Sequence, residues 1–381
     1  MRPFLLHFFL LVFLANNDGQ TVFTLVPTQA GDDLHFATDG YIYSSHYGGI
    51  FFRKINPVTG VVDTIFSANT PTIGAIEMDE NLQIFTCSYD LGWVGKFEEG
   101  DNSISIITTG LMGPVGITHD SDGNLYVATN QNHSIIKILP DGTKETFVQG
   151  SPLFWPTGIT IDTANNLYVA NMFSGQIIKV SPEKTMTTLA TLPSISDQTP
   201  DLAYLVWTHG KLYICHFDKH VIYEMNAETG SFQIIAGNGQ PGHEDGPALE
   251  ANFQNPTGIV ASPSGDTLFI TDGAAPIQRL RMLVLGNVSG SGERQAGFSF
   301  NGMFPTPTQD KTTFAFSLER PMKIGFHVVG ADGKTPISVS EKLYAEGENQ
   351  ITVEVSELQQ GVWFLVANYE GVLRSFSFVK S

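Results

Sequence analysis

A phrase returns in this chain about every 42 residues. Pro114-Val-Gly-Ile-Thr-His-Asp120 leads through Gly123-Asn-Leu-Tyr-Val-Ala128 to Ile135-Ile-Lys-Ile138, and Pro156-Thr-Gly-Ile-Thr-Ile-Asp162 leads through Asn166-Leu-Tyr-Val-Ala170 to Ile177-Ile-Lys-Val180. Gly74, Gly116 and Gly158 follow one another at 42-residue intervals. The apolar runs are too short for helices and alternate as strands do. A repeat of this length built from short strands predicts the blades of a β-propeller.

Aligning the chain on the second strand of the repeat predicts six units. Their second strands are Tyr41–Ser44, Leu82–Cys87, Leu125–Ala128, Leu167–Ala170, Lys211–Cys215 and Thr267–Thr271. Turn pairs such as Asp39-Gly40, Asp122-Gly123, Asp141-Gly142 and Thr229-Gly230 stand where tight hairpins need positive φ. Unit 6 lacks an outer strand of its own. Thr21-Val-Phe-Thr-Leu-Val26, ahead of unit 1, reads as a detached one and is expected to complete the last blade. Such closure removes the exposed strand edges of an open ring.

Composition narrows the partners. The 38 glycines suit a turn-rich β protein, and the net charge of −18 argues against nucleic acid and anionic membranes. Met1-Arg2 is followed by an apolar run, Phe4 to Leu14, and by the polar exit Ala15-Asn-Asn-Asp-Gly19. That pattern predicts a secretory signal peptide over residues 1–19, cut after Ala15 or before Gln20. The run is too short to span a bilayer, and no other stretch reads as a transmembrane segment. The two cysteines, Cys87 and Cys215, occupy the same place in units 2 and 5. Those blades lie opposite each other in a six-membered ring, too far apart for a disulfide, so both are read as buried small residues.

These repeats resemble the NHL-repeat propellers, whose pattern is roughly Pro-x-Gly-Ile, then Gly-Asn-Leu-Tyr-Val-Ala-Asp, then Asn-His-Arg-Ile. Asn132-His133 stands at the family's Asn-His pair, and Ala236-Gly-Asn-Gly-Gln-Pro-Gly242 resembles the glycine-rich connection before many NHL blades. The resemblance covers residues 20–285 and implies fold rather than activity.

After Leu285 the texture changes. Residues 286–298 read as a Gly/Ser linker, and period-2 patterning over 299–381 predicts a small C-terminal antiparallel β-sandwich. Expected strands include Thr312–Ser317, Met322–Val329, Gln350–Val355, Gly361–Ala367 and Leu373–Phe378. This segment resembles the C-terminal sorting domain of the type IX secretion system of Bacteroidota. The matching motifs are Phe304-Pro-Thr-Pro307, Gly330-Ala-Asp-Gly-Lys334, Gly347-Glu-Asn-Gln-Ile351 and Leu358-Gln-Gln-Gly-Val-Trp-Phe364. Thr306 replaces the usual Asn and Trp363 the usual Tyr. The resemblance implies Sec export, engagement of the type IX secretion machinery, and release or display at the outer cell surface. The fold class is thus all-β: a six-bladed NHL-like propeller plus a small sandwich.

Candidate chemistry gathers at two places. The b–c and d–a loops of every blade share one rim, expected to carry His46, Asn130, Trp155, Asn171, His216, His220 and Asp272. Blades 5, 6 and 1 are consecutive, so His216, Asp272 and His46 are a candidate ligand set for a divalent metal. Geometry opposes it, because second strands lie about 10 Å from the axis when strands are spaced about 4.8 Å apart. The alternative is that these polar ends bond the backbone of the next blade. His216 and His220 flank Asp218, but His-x-x-x-His across a turn is a weak metal signal. Phe154, Trp155 and Phe173 are candidates for an aromatic binding surface, or for simple packing between blades. Glu77 and His119, each three residues after the repeat's glycine, are candidate catalytic residues as a carboxylate–imidazole pair near the channel. A structural hydrogen bond is the alternative.

Phosphate loops, zinc-finger spacings and serine elbows are missing from the sequence. The expected function is a secreted or surface propeller that binds protein or glycan through its loop rim. The alternative is a metal-dependent hydrolase or lyase of the gluconolactonase-like or peptide-amidating-lyase-like kind. Thr157 and Thr257 stand where the esterase family offers a metal-binding Asn, which counts against that alternative.

Overall fold

The structure is a computed structural model. It describes residues 20–46, 51–57, 60–67, 73–194, 202–263, 265–273, 277–285, 298–304, 310–330, 337–358, 361–369 and 372–380. The leader expected over 1–19, most of the expected linker, and the sorting-domain motif residues 305–307 and 331–334 lie outside the described residues.

Six antiparallel sheets circle an axis. Their innermost strands, called a, are Asp33–Phe36, Ile73–Met78, Pro114–His119, Pro156–Ile161, Leu202–Thr208 and Ile259–Ala261. Each packs on the next, and the first packs on the last. Blades 1 to 5 are consecutive four-stranded meanders. Blade 6 takes its outer strand from the start of the ring, as expected: Thr21–Val26 pairs with Arg279–Val284, with Thr21 opposite Val284 and Phe23 opposite Met282. A short strand that sequence did not suggest, Gly246–Pro247, hems this closure, with Thr21 opposite Pro247.

The repeated phrase has a physical content residue by residue. Its glycine sits where neighbouring a strands nearly touch. A Cβ on Gly116 would meet Thr157 O at 2.3 Å, one on Gly158 would meet Ala203 O at 2.7 Å, and one on Gly258 would meet Asp32 O at 2.2 Å. Each contact is with the backbone of the following blade, so no side-chain rotation relieves it. The aspartate after the a strand latches its hairpin. Asp120 Oδ1 accepts from Asn124 N at 2.9 Å, and Asp120 Oδ2 accepts from Tyr126 OH at 3.1 Å. Asp162 repeats both bonds with Asn166 N at 2.8 Å and Tyr168 OH at 3.0 Å. The phrase therefore encodes blade geometry, which is why it says nothing of a ligand.

Cores form between blades. Tyr213, Cys215, Ile222, Phe253, Leu268 and Ile270 belong to the cluster between blades 5 and 6. Both cysteines are free and buried, as expected. Burial pushes the Cys87 thiol up to about 12 and the Cys215 thiol well above its usual value, so neither is a reactive thiolate.

The C-terminal sandwich has a three-stranded and a four-stranded sheet. Lys311–Leu318 alternates strictly, burying Thr312, Phe314, Phe316 and Leu318 against Ile324 and Phe326. Two of its strands were not expected from sequence, Phe298–Phe304 and Ile337–Tyr344. The second carries Glu341, Lys342 and an exposed Leu343 at the edge of its sheet, where burial imposes no alternation. The first begins at Phe298, a residue assigned to the linker from sequence.

Candidate functional site

At the rim, the polar residues are held by backbone. Asn171 Oδ1 accepts from Phe154 N at 3.0 Å, and at the matching place in blade 6 Asp272 Oδ1 accepts from Gln254 N at 3.2 Å. His133 Nδ1 accepts from Trp155 N at 3.1 Å, and His220 Nδ1 accepts from Asn255 N at 3.1 Å. All four residues of these two histidine pairs have positive φ, 53° and 49° in the first and 58° and 52° in the second. The histidines thus cap a left-handed loop that enters the next blade. His220 is a structural latch of the fold.

The candidate metal ligands are not brought together. His216 Nδ1 accepts from Lys219 N at 3.3 Å while Nε2 donates to Pro193 O at 3.1 Å, which leaves neither nitrogen for a metal. His46 Nδ1 lies 3.8 Å from Asp32 Oδ2. Asp272 is fully buried and spent on Arg281, whose Nη1 donates to Oδ2 at 2.5 Å, and on His243 Nδ1 at 3.0 Å. Burial pushes the Asp272 carboxyl up, opposed by the charges of Arg281 and His243. Among the described residues no three His, Cys, Asp or Glu side chains converge on a metal position. The side chains described at this rim do not fit a divalent ion. The physical reason is that His216 and Asp272 find partners in nearby loops before they can reach the axis.

Arg281 also donates from Nη2 to Asp245 Oδ1 at 2.7 Å, and Asp245 Oδ2 accepts from Thr24 N at 3.0 Å. The cluster therefore ties the glycine-rich connection to the closing strand. Asn130 is buried, with its N–H on Gly113 O at 3.0 Å.

The aromatic candidates do assemble. The Trp155 and Phe173 rings meet edge to face at 5.4 Å, and His133 lies 5.3 Å from the half-exposed Phe154. Beside them opens a cavity of about 600 Å³, lined by Phe154, Phe173, Ser174, Leu192, Pro193 and Ser194. The bond from His216 to Pro193 O holds one wall. Trp155 backs Phe173 rather than lining the cavity.

Glu77 and His119 form the pair expected of them, with His119 Nδ1 donating to Glu77 Oε1 at 2.9 Å. They stand near the a–b hairpins, since Glu77 faces Phe85 and His119 faces Leu125 across the first pairing, so they lie at the end of the channel away from the rim. Sequence reasoning missed a third member. His35 Nδ1 lies 3.5 Å from the same Oε1. The signal was available, because His35 precedes Glu77 by the repeat length of 42, but blade 1 lacks the Pro-x-Gly phrase that anchors the register. Burial works to raise the Glu77 carboxyl, yet the His35 charge and the hydrogen bonds from both histidines hold it down at about 2. The hydrogen bond to Glu77 raises His119. A buried carboxyl, Asp33, was also missed. It accepts from Leu34 N at 2.9 Å and Ile76 N at 3.0 Å, and burial raises it to about 7.

The comparisons agree with this architecture. The family model described as "Secretion system C-terminal sorting domain" matches residues 302–375. An auxiliary nutrient binding protein from Bacteroides ovatus is similar with a TM-score of 0.58 and 15% identity, over 70% of this chain and 76% of that one. An auxiliary nutrient binding protein from Bacteroides thetaiotaomicron is similar with a TM-score of 0.57 and 17% identity, over 69% and 76%. A virginiamycin B lyase from Staphylococcus aureus is similar with a TM-score of 0.50 and 14% identity, over 70% and 98%. No curated protein matches the chain. The chain is a β-propeller carrying a type IX secretion sorting domain. It is exported by that route to the cell surface or the extracellular space. No described helix is long and apolar enough to cross a membrane.

Proposed function

We propose that the protein is an extracellular binding propeller that takes a glycan at the aromatic cavity on its loop rim. One observation carries this reading: Phe154 and Phe173 stand beside the hydroxyls of Ser174 and Ser194 around an open cavity of about 600 Å³. Sugar rings offer an apolar C–H face and a polar hydroxyl edge, and that pairing of surfaces suits them. Two Bacteroides propellers of the same fold are described as auxiliary nutrient binding proteins, which supports a carrier or capture role here. The rim's polar residues act as loop braces that hold the aromatic wall in place.

The test is calorimetric titration of the whole chain with a panel of oligosaccharides. A saccharide that binds should bind about tenfold more weakly to Phe154→Ala and Phe173→Ala. Trp155→Ala should weaken binding less, since it acts through Phe173. A panel without binding, or binding unchanged in both Phe variants, would remove the reading.

A further inference from the structure

The channel holds a second cavity, of about 200 Å³, with two unlike walls. Asp33, His35 and Glu77 form one side, and Leu205, Val206 and Ile259 form another. Phe36 and Tyr204 add aromatic surface, and neither Lys nor Arg lines it. We propose that this cavity binds a small organic cation: an ammonium group on a short apolar body.

The charge balance selects the sign. The carboxylate of Glu77 stays ionised at any pH the protein meets. Burial, with a smaller contribution from the nearby Glu77 and Asp32, keeps the proton on Asp33 until near neutrality. A cation entering beside Asp33 favours loss of that proton and gains a second carboxylate, whereas an anion meets two carboxyl groups and finds no Lys or Arg in the lining. His35 and His119 are the groups that oppose a cation, and only when protonated. His119 faces Glu77, Asp79 and Asp120, which keep its proton on to higher pH than usual. Binding should therefore strengthen from pH 6 to pH 8. Size and shape follow from the rest. Liquid water occupies about 30 Å³ per molecule, so the cavity suits a ligand of roughly five to seven heavy atoms. Phe36 and Tyr204 are in the lining, and aromatic rings attract cations.

The experiment is calorimetric titration of the full chain with butylammonium and tetramethylammonium chlorides at pH 8, with n-butanol and butyrate as controls. At least one ammonium should bind saturably at one site, with affinity falling about tenfold at pH 6 and about tenfold in Glu77→Gln. Butanol and butyrate should not bind. At pH 6.5, titration in two buffers of different ionisation heat should report proton release that falls in Asp33→Asn. This second variant keeps the test decisive if Glu77→Gln fails to fold, because Asp33→Asn removes a buried acid. Phe154→Ala, at the opposite rim, should leave ammonium binding unchanged. Lack of ammonium binding at pH 8, equal binding of butanol, or wild-type affinity and proton release in Asp33→Asn would overturn the proposal.

Discussion

His119 Nδ1 donates to Glu77 Oε1 at 2.9 Å across the interface of blades 2 and 3. The two residues occupy the same position of the repeat, 42 residues apart. With His35 on the other side of the same oxygen, one carboxylate links three consecutive blades at one end of the channel.

That bridge makes stability depend on pH. His119 is raised when folded, so its contribution is complete below its unfolded value near 6.5 and is lost as pH rises through the folded value. Glu77 is lowered, so its contribution is present above its unfolded value near 4.5 and is lost as pH falls through about 2. Asp33 is raised to about 7, which adds a cost that grows as pH climbs from 3.8 to that value. The gain at Glu77 and the cost at Asp33 balance at about pH 4, so stability is greatest near there and declines on the alkaline side, with the His119 loss added above about 6.5. Thermal melts from pH 4 to 9 should show a lower midpoint at pH 8 than at pH 5.5. His119→Gln should shrink the difference by about 2–4 °C. A midpoint that rises from pH 5.5 to 8 would contradict this account.

The repeat glycines should resist even one methyl group. Gly116→Ala and Gly258→Ala place a Cβ within 2.3 Å and 2.2 Å of a neighbouring carbonyl oxygen. Each should cost about 1–3 kcal/mol in urea denaturation. Gly325→Ala is the control, since its nearest neighbour would be Glu341 Cβ at 3.7 Å. Equal effects at all three sites would show that close approach between blades is not the reason for the glycine.

Arg281 and Asp272 are each fully buried, and together with Asp245 they hold the closing strand. Asp272→Ala leaves the guanidinium with less compensation and should cost about 3–5 kcal/mol. Arg281→Met with Asp272→Leu removes both charges and should cost less than Asp272→Ala alone. Equilibrium denaturation of the three variants decides it. The same experiment separates a structural Asp272 from a ligand-binding one, because a binding role would leave stability near wild type.

Deleting residues 299–381 removes the strands that match the sorting-domain model at 302–375. In a host with type IX secretion the shortened protein should accumulate in the periplasm. Cell fractionation and surface protease treatment report the outcome, and undiminished surface display would contradict it.

Spacing made the Glu77–His119 pair legible, because equivalent positions on neighbouring inner strands must be close around a ring. It also made the ring closure legible, since Thr21–Val26 is a strand with no hairpin partner beside it in sequence. The His216–Asp272–His46 set failed for a reason that lies beyond spacing. Equivalent second-strand ends are neighbours too, but farther from the axis, and their bonding is settled by loops of irregular length. Pro193, Lys219 and Gln254, which take up His216 and Asp272, belong to such loops. His35 escaped because its blade has lost the phrase that marks the register.

The amino-acid order alone determined the number of blades, the strand that closes them and the sandwich behind them. Those follow from local alternation and a repeat length, which are properties of neighbours along the chain. Tertiary structure decided which polar groups are spent on holding loops and which face a cavity. A side chain's free hydrogen-bonding capacity depends on partners far away in sequence, such as Asp245 with Thr24 and Arg281 with Asn252, and no periodicity reports them.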